Sequence, residues 1–328
     1  MDYTKKVLKN KLRLIIATLP NVESATVSVW VKTGSRMEED RVAGISHFLE
    51  HMVFKGSKKR PTAKEIAEAV DSIGGEFNAA TSKDWTNFYI KARAGNLETA
   101  FDVLSDMVLN PVLKEEEIER EKGVIVEEIR MYEDTPMFRI GDIYEQLAFF
   151  GNSLGRDIIG SEKTVKGVKR DDFIRYRNIH YYPENILVTV AGGVDKKEAD
   201  KLAERYFAGL KSGKKAQSPE GFKAKNKGPR VRLYSKKKEQ AHLILGFLGK
   251  GRGYKGRFAE AVLASILGGG MSSRLFSEVR ERRGLAYSIK TSVERYDETG
   301  YMGTYAGIDP KRVDEAIKVI LEEHYKIA

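Results

Sequence analysis

Two related α+β domains, each a mostly antiparallel sheet packed with helices, are what this 328-residue chain predicts. Three observations carry that expectation. Short strand-like runs alternate with helix-like segments, the order of those segments repeats once, and a polar stretch rich in lysine and glycine separates the copies. The length and a hydrophobic content of 41% are enough for two ordinary cores. The first domain is expected over 1–211, a linker over 212–229 and the second domain over 230–328.

Residues 12–16 and 25–33 run apolar or alternate, as strands do. A polar turn at 35–40 leads to a segment in which Ile45, Phe48, Leu49, Met52 and Val53 are apolar, the signature of a buried helix. Thr62-Ala63-Lys64-Glu65, with Pro61 before it, is a capping box opening a second helix, which Gly74-Gly75 closes. Residues 85–94 read as a strand. Gly95-Asn96 then leads into a helix with Leu97, Ala100, Phe101, Leu104 and Val108 on one face. Residues 114–132 form a long helix whose intermittent apolar stripe is Ile118, Val124, Ile125, Ile129 and Tyr132. A buried strand follows at 186–191, and Asp195 starts a helix running to Tyr206.

The second copy begins with strands at 231–234 and 242–246, then helices at 259–267 and 272–282. Ala306-Gly307-Ile308-Asp309-Pro310 echoes Ala94-Gly95-Asn96 by placing a glycine and a capping residue before an amphipathic helix. This copy has about half the residues of the first. It is therefore expected to be incomplete, either in a truncated chain or in one whose partner supplies the rest.

The chemistry concentrates in His47-Phe48-Leu49-Glu50-His51. On a helix, positions i, i+3 and i+4 share a face, so two imidazoles and a carboxylate stand together. That set suits a zinc ion held by both histidines, with Glu50 beside the water to be activated. Such a charged cluster on a buried helix must be paired within the core or bind a metal. A catalytic zinc needs a third protein ligand, and the helix over 114–132 offers Glu127 and Glu128, which point about 100° apart. Glu128 is chosen because it stacks two turns from Glu121, which is then placed to orient a ligand from behind.

These residues resemble the inverzincins, the pitrilysin, insulinase and mitochondrial processing peptidase family of zinc metallopeptidases, whose signature is His-x-x-Glu-His. The resemblance runs through residues 44–56 (GISHFLEHMVFKG) and 120–129 (REKGVIVEEI), and covers nearly all of the chain. It implies Zn²⁺, one per chain, on His47, His51 and Glu128, with Glu50 as general base. It further implies that residues 74–81, with Phe77, Asn78, Ala79 and Ala80, form a strand that accepts peptide as an added edge strand. Arg280 and Tyr287 resemble the pair that the family's second domain lends to the active site, Arg280 gripping a substrate carbonyl and Tyr287 donating to the oxyanion. The two domains would face each other across a cleft. The implied activity is that of a zinc metalloendopeptidase acting on peptides or unfolded polypeptide, in a homodimer or a heterodimer with a homologous subunit. Two rival readings are a non-catalytic partner or scaffold subunit of the same fold and a clamp that binds peptides without cutting them.

Composition narrows the alternatives. A formal net charge of +10 invites nucleic acid, but the basic residues are scattered among acids with no arginine-rich arm or aromatic platform, so no nucleic-acid partner is expected. No apolar run approaches a membrane span, and the first residues lack the apolar core of a secretory signal. The absence of cysteine rules out disulfides and thiolate ligands and fits a cytoplasmic location. Gly268-Gly269-Gly270 lacks the ending of a phosphate-binding loop. His180, His242 and His324 have no carboxylate at ligand spacing and are read as structural. The acid-rich helix at 115–133 suggests a preference for basic residues near the cut.

Overall fold

Six strands make the first sheet: β1 (Tyr3–Val7), β2 (Arg13–Thr18), β3 (Ser24–Val31), β4 (Glu76–Thr81), β5 (Thr86–Arg93) and β6 (Ile186–Gly192). Their spatial order is β1-β2-β6-β3-β5-β4, antiparallel throughout except for the β2–β6 pair. Val27, Val29 and Val31 of β3 and Ile186, Val188 and Val190 of β6 are buried, as two central strands require. The computed structural model describes residues 2–213, 218–224, 228, 230–236 and 239–327. They fall into two units, Met1–Ile129 with Asp157–Pro219 and Arg130–Arg156 with Glu220–Ala328.

In the first unit the sheet carries helices α1 (Ile45–Val53), α2 (Ala63–Asp71), α3 (Leu97–Leu109) and most of α4 (Glu115–Asp134). Helix α5 (Pro136–Ala148) falls in the second unit, and α6 (Glu162–Gly167), α7 (Arg170–His180) and α8 (Lys196–Phe207) return to the first. Phe48, Phe101, Phe173 and Phe207 are fully buried in one apolar cluster with the sheet. Thr62 and Glu65 form the capping box of α2 in both directions, and Asp195 accepts from the Glu198 N–H to cap α8.

The second unit is built on β7 (Ala241–Lys250), α9 (Arg257–Gly268), a π-helical turn at Phe276–Glu281, β8 (Ala286–Arg295), β9 (Thr299–Ile308) and α10 (Val313–Tyr325). Its three strands lie in the order β7-β9-β8, all antiparallel. Leu275, Val279, Ile289, Ala306, Ile308, Ala316 and Ile320 form its core. Helix α5 belongs here because its aromatic end is buried among these strands, with Tyr144 and Tyr301 ring centroids 4.8 Å apart. Phe149 stacks edge-on with Tyr296 at 5.5 Å. The sequence reading counted these residues with the domain over 1–211.

Some local expectations change. No strand forms over 231–234, where Val231, Leu233 and Tyr234 are exposed. In the first unit the strand preceding β3 is β2, which is paired by β1 and β6 rather than by β3. In the second unit the strands lie in the order β7-β9-β8, and residues 231–234 join none of them. On α4, Val124 is exposed and Val126 buried instead, because the helix turns Ile118, Ile125 and Ile129 to the core. Of the linker expected over 212–229, residues 214–217, 225–227 and 229 lie outside the described residues.

Candidate metal centre

Helix α1 is held at its start by a carboxylate. Glu38, itself buried, accepts the Gly44 N–H at 2.7 Å with Oε2 and the Ser46 N–H at 2.8 Å with Oε1. These are helix N-terminal donors with no partner inside the helix, and an anion is favoured at that end of the dipole. The Ser46 and Thr33 hydroxyls each meet Tyr176 Oη of α7 at 2.7 Å, while Phe48 packs edge-on to Phe173 with centroids 4.9 Å apart. With Ile45, Phe48, Leu49, Met52 and Val53 buried, the half-buried His47, Glu50 and His51 share the remaining face.

Helix α4 brings its carboxylates to that face. His47 Nε2 lies 3.7 Å from Glu128 Oε1 and His51 Nε2 lies 3.6 Å from Glu128 Oε2. One ligand atom from each of the three residues lies within 4.8 Å of the others. These separations exceed a hydrogen bond and match what a shared ion requires. Ligands about 2.0–2.2 Å from a tetrahedral metal stand ~3.4 Å apart. Two imidazoles and a carboxylate are also a donor set that zinc takes. Behind them, Glu121 Oε1 lies 2.9 Å from His51 Nδ1, and Lys55 Nζ donates to Glu121 Oε2 at 2.6 Å. With Nδ1–H donating to the carboxylate, the His51 Nε2 lone pair is left for a metal. Glu127 is exposed and turned elsewhere.

Burial sets the charge states at the site. Burial, followed by the charge of His51, lowers the His47 pKa to about 3, so its ring is neutral. Burial raises the pKa of Glu128, with the Glu121 charge adding to the rise and His51 opposing it. Burial also raises that of Glu50, against the hydrogen bond from the Thr81 hydroxyl. For Glu121, burial pushes upward but the hydrogen bonds from His51 and Lys55 outweigh it, and the carboxyl ends below its ordinary value.

Strand β4 lies at the edge of its sheet, paired only with β5. Phe77 and Ala79 turn toward the core, whereas Asn78 and Ala80 are exposed. Asn78 Oδ1 accepts the Ala79 N–H at 2.8 Å. Arg280 and Tyr287 lie in the second unit, beside each other, with the guanidinium carbon of Arg280 5.4 Å from the Tyr287 ring centroid and 4.6 Å from that of Phe276. Tyr287 is exposed. His242 Nδ1 is 2.9 Å from Tyr305 Oη and His324 Nε2 is 3.0 Å from Thr304 Oγ1, ordinary structural contacts.

Sequence reasoning gave no role to Lys55, Glu38, Thr81 or Tyr176. Lys55 lies within the motif segment, and Glu38 sits just ahead of a helix start, where an acid is favoured. That position was the one available signal. The contacts of Thr81 and Tyr176 join residues 31 and 130 positions apart, which no local pattern reveals.

Known proteins resemble this chain over most of its length. Residues 13–162 match the family described as Insulinase (Peptidase family M16), and residues 167–328 match the Peptidase M16 inactive domain. A protein of Streptomyces coelicolor named as an uncharacterised zinc protease is 39% identical over 97% of this chain and 70% of its own length. One of Bacillus subtilis, named likewise, is 38% identical over 96% of this chain and 76% of its own. A crystal structure of a protease from Helicobacter pylori superposes with a TM-score of 0.93 at 26% identity, covering 98% of this chain and 79% of that one. The Peptidase M16 inactive domain from Pseudomonas fluorescens shares the fold, with a TM-score of 0.91 at 17% identity over 99% of this chain and 79% of that one.

Proposed function

The chain belongs to the insulinase-type peptidase family M16, and we propose that it is a zinc-dependent endopeptidase in which Glu50 is the general base. One observation carries the reading. His47 Nε2, His51 Nε2 and the Glu128 carboxylate converge at the spacing a single ion needs, and Glu50 lies on the same helix face. When bound, zinc supplies the Lewis acidity that makes water nucleophilic near neutral pH and polarises a peptide carbonyl.

The remaining work falls to the chain's own groups. Glu50 takes the proton from the attacking water and returns it to the leaving amine. A carboxyl raised by burial suits both halves of that exchange, since it moves toward the working pH. The Thr81 hydroxyl holds Glu50 Oε2, so one carboxylate oxygen is fixed and the other is left for the proton. Glu121 keeps the His51 ring in one tautomer. The free edge of β4 accepts an extended peptide through backbone hydrogen bonds, once Asn78 releases the Ala79 N–H.

Hydrolysis of an unstructured peptide should stop on addition of a chelator and return with zinc. Glu50→Gln should retain zinc and lose about 10²–10⁴-fold in kcat, the range for a general base. A Glu50→Gln chain that cleaves at the normal rate removes Glu50 from this role. A chain that holds zinc but returns its peptide whole is a binding clamp instead.

A further inference from the structure

Two glutamates of α4 face α1, and their surroundings differ. Neither oxygen of Glu128 is within hydrogen-bond distance of the histidines, at 3.7 Å from His47 Nε2 and 3.6 Å from His51 Nε2. Both oxygens of Glu121 are engaged, Oε1 with His51 Nδ1 at 2.9 Å and Oε2 with Lys55 Nζ at 2.6 Å. The Glu121 side chain is 4% exposed and that of Lys55 29%. Lys55 follows the end of α1, where its N–H bonds to the Met52 carbonyl at 3.1 Å, so its backbone is anchored beside the site.

We propose that Lys55 is a positioning residue for the metal centre. By holding Oε2 of Glu121 it keeps that carboxylate turned toward His51 Nδ1 and out of the ligand set, which leaves Glu128 as the carboxylate ligand. The inference rests on the zinc-site reading above. Its physical basis is geometric. Glu121 shares a face of α4 with Glu128, and its second oxygen is occupied by Lys55. A lysine ammonium, with three donors and no acceptor, occupies it without offering a ligand atom of its own.

Charge alone predicts the opposite effect. A cation beside a dication repels it, so removing Lys55 would tighten zinc binding if the side chain acted only through its field. Loss of positioning weakens binding instead, as removal of outer-sphere partners of metal ligands does. The sign of the change separates the two.

The test compares wild type with Lys55→Met, Lys55→Arg, Glu121→Gln and the double variant Lys55→Met/Glu121→Gln. Zinc Kd is measured by competition with a chromophoric chelator, and visible absorption of each cobalt(II)-loaded chain reports coordination. Thermal melting of the metal-free chains checks that each is folded. Lys55→Met is expected to weaken zinc about 10-fold or more and to alter the cobalt spectrum. Lys55→Arg, which keeps the donor, should restore the affinity to within about threefold. In the Glu121→Gln background, Lys55→Met should add less than about twofold, because it acts through that carboxylate. Unchanged or tighter zinc binding by Lys55→Met, or fully additive losses in the double variant, overturns the proposal and leaves the zinc site intact. Failure of the wild-type chain to bind zinc removes both.

Discussion

Residues 24–109 and 241–325 run through similar elements in the same order, yet among the described residues only the first run carries a helix of the candidate metal centre. In both, the first strand is followed by two longer helical segments, preceded in the first run by short 3-10 turns at Ser35–Met37 and Asp40–Val42, then by two more strands and a closing helix, and the strands lie first-third-second: β3-β5-β4 and β7-β9-β8. Gly74, at φ +60°, and Gly284, at φ +57°, each stand two residues ahead of the second strand. A short 3-10 turn opens each closing helix, and α3 and α10 are both 13 residues long.

The two runs differ in what the frame holds. Helix α1 offers His47, Glu50 and His51, whereas α9, at the same place in the order, has one acid, Glu260, engaged by Arg295 at 2.9 Å. After α3 the chain continues into α4, which lays Glu121 and Glu128 against α1. The shared frame is therefore chemically neutral. A metal site requires both the donors on its first helix and a further helix to complete them.

The sharpest way to break that contrast is to remove one acid from α4 and one from α9. Glu128→Gln should weaken zinc by at least ~100-fold, beyond the usual range for outer-sphere partners, while Glu260→Gln should leave zinc Kd unchanged. Equal losses in the two variants, read by chelator competition, would mean that the second run contributes to the site after all.

A smaller effect concerns α7, which supports α1. His180, buried against Tyr176 with ring centroids 4.5 Å apart, has its pKa lowered by burial from 6.5 to about 4. As pH falls through 6.5 the unfolded chain takes up a proton that the folded chain refuses until about pH 4. The stability tied to this neutral ring is therefore complete above pH 6.5 and is lost on acidification down to about pH 4, by roughly 3 kcal/mol at most. Urea midpoints of wild type and His180→Gln should converge over that window. A constant difference across it would show that the ring titrates alike in both states.

The smallest effect tests the likeness itself. At Gly74 and Gly284 an added Cβ would meet nothing within 4 Å, so only the left-handed backbone resists substitution. Gly74→Ala and Gly284→Ala should each cost about 1 kcal/mol, equal to within ~0.5 kcal/mol. Unequal costs, from thermal denaturation followed in each unit, would argue that the two turns are alike in shape only.

Much of this was legible in the sequence for a local reason. The capping box at Thr62, the apolar face of α1 and the i, i+4 histidines depend on residues within one or two turns. Helix α7 was not legible, because buried Phe173 and Tyr176 sit among charged residues and its moorings are on α1 and the loop before it. Strands β8 and β9 were missed as well. Gly300, Gly303 and Gly307 thin the alternation of β9, which holds its place by pairing on both sides. Residues 231–234 show the reverse, a strand pattern left unpaired.

The order of residues alone determined the donor types, the helix that presents two of them and the turn that separates Glu127 from Glu128. Periodicity is a property of a short stretch of backbone. Tertiary structure decided the rest: that α4 crosses α1 with Glu128 at both imidazoles, that Glu121 stands behind His51, and that Lys55 and Thr81 hold the carboxylates in place. Those meetings span up to 81 residues of chain and are set by how buried faces pack, which spacing along the sequence does not encode.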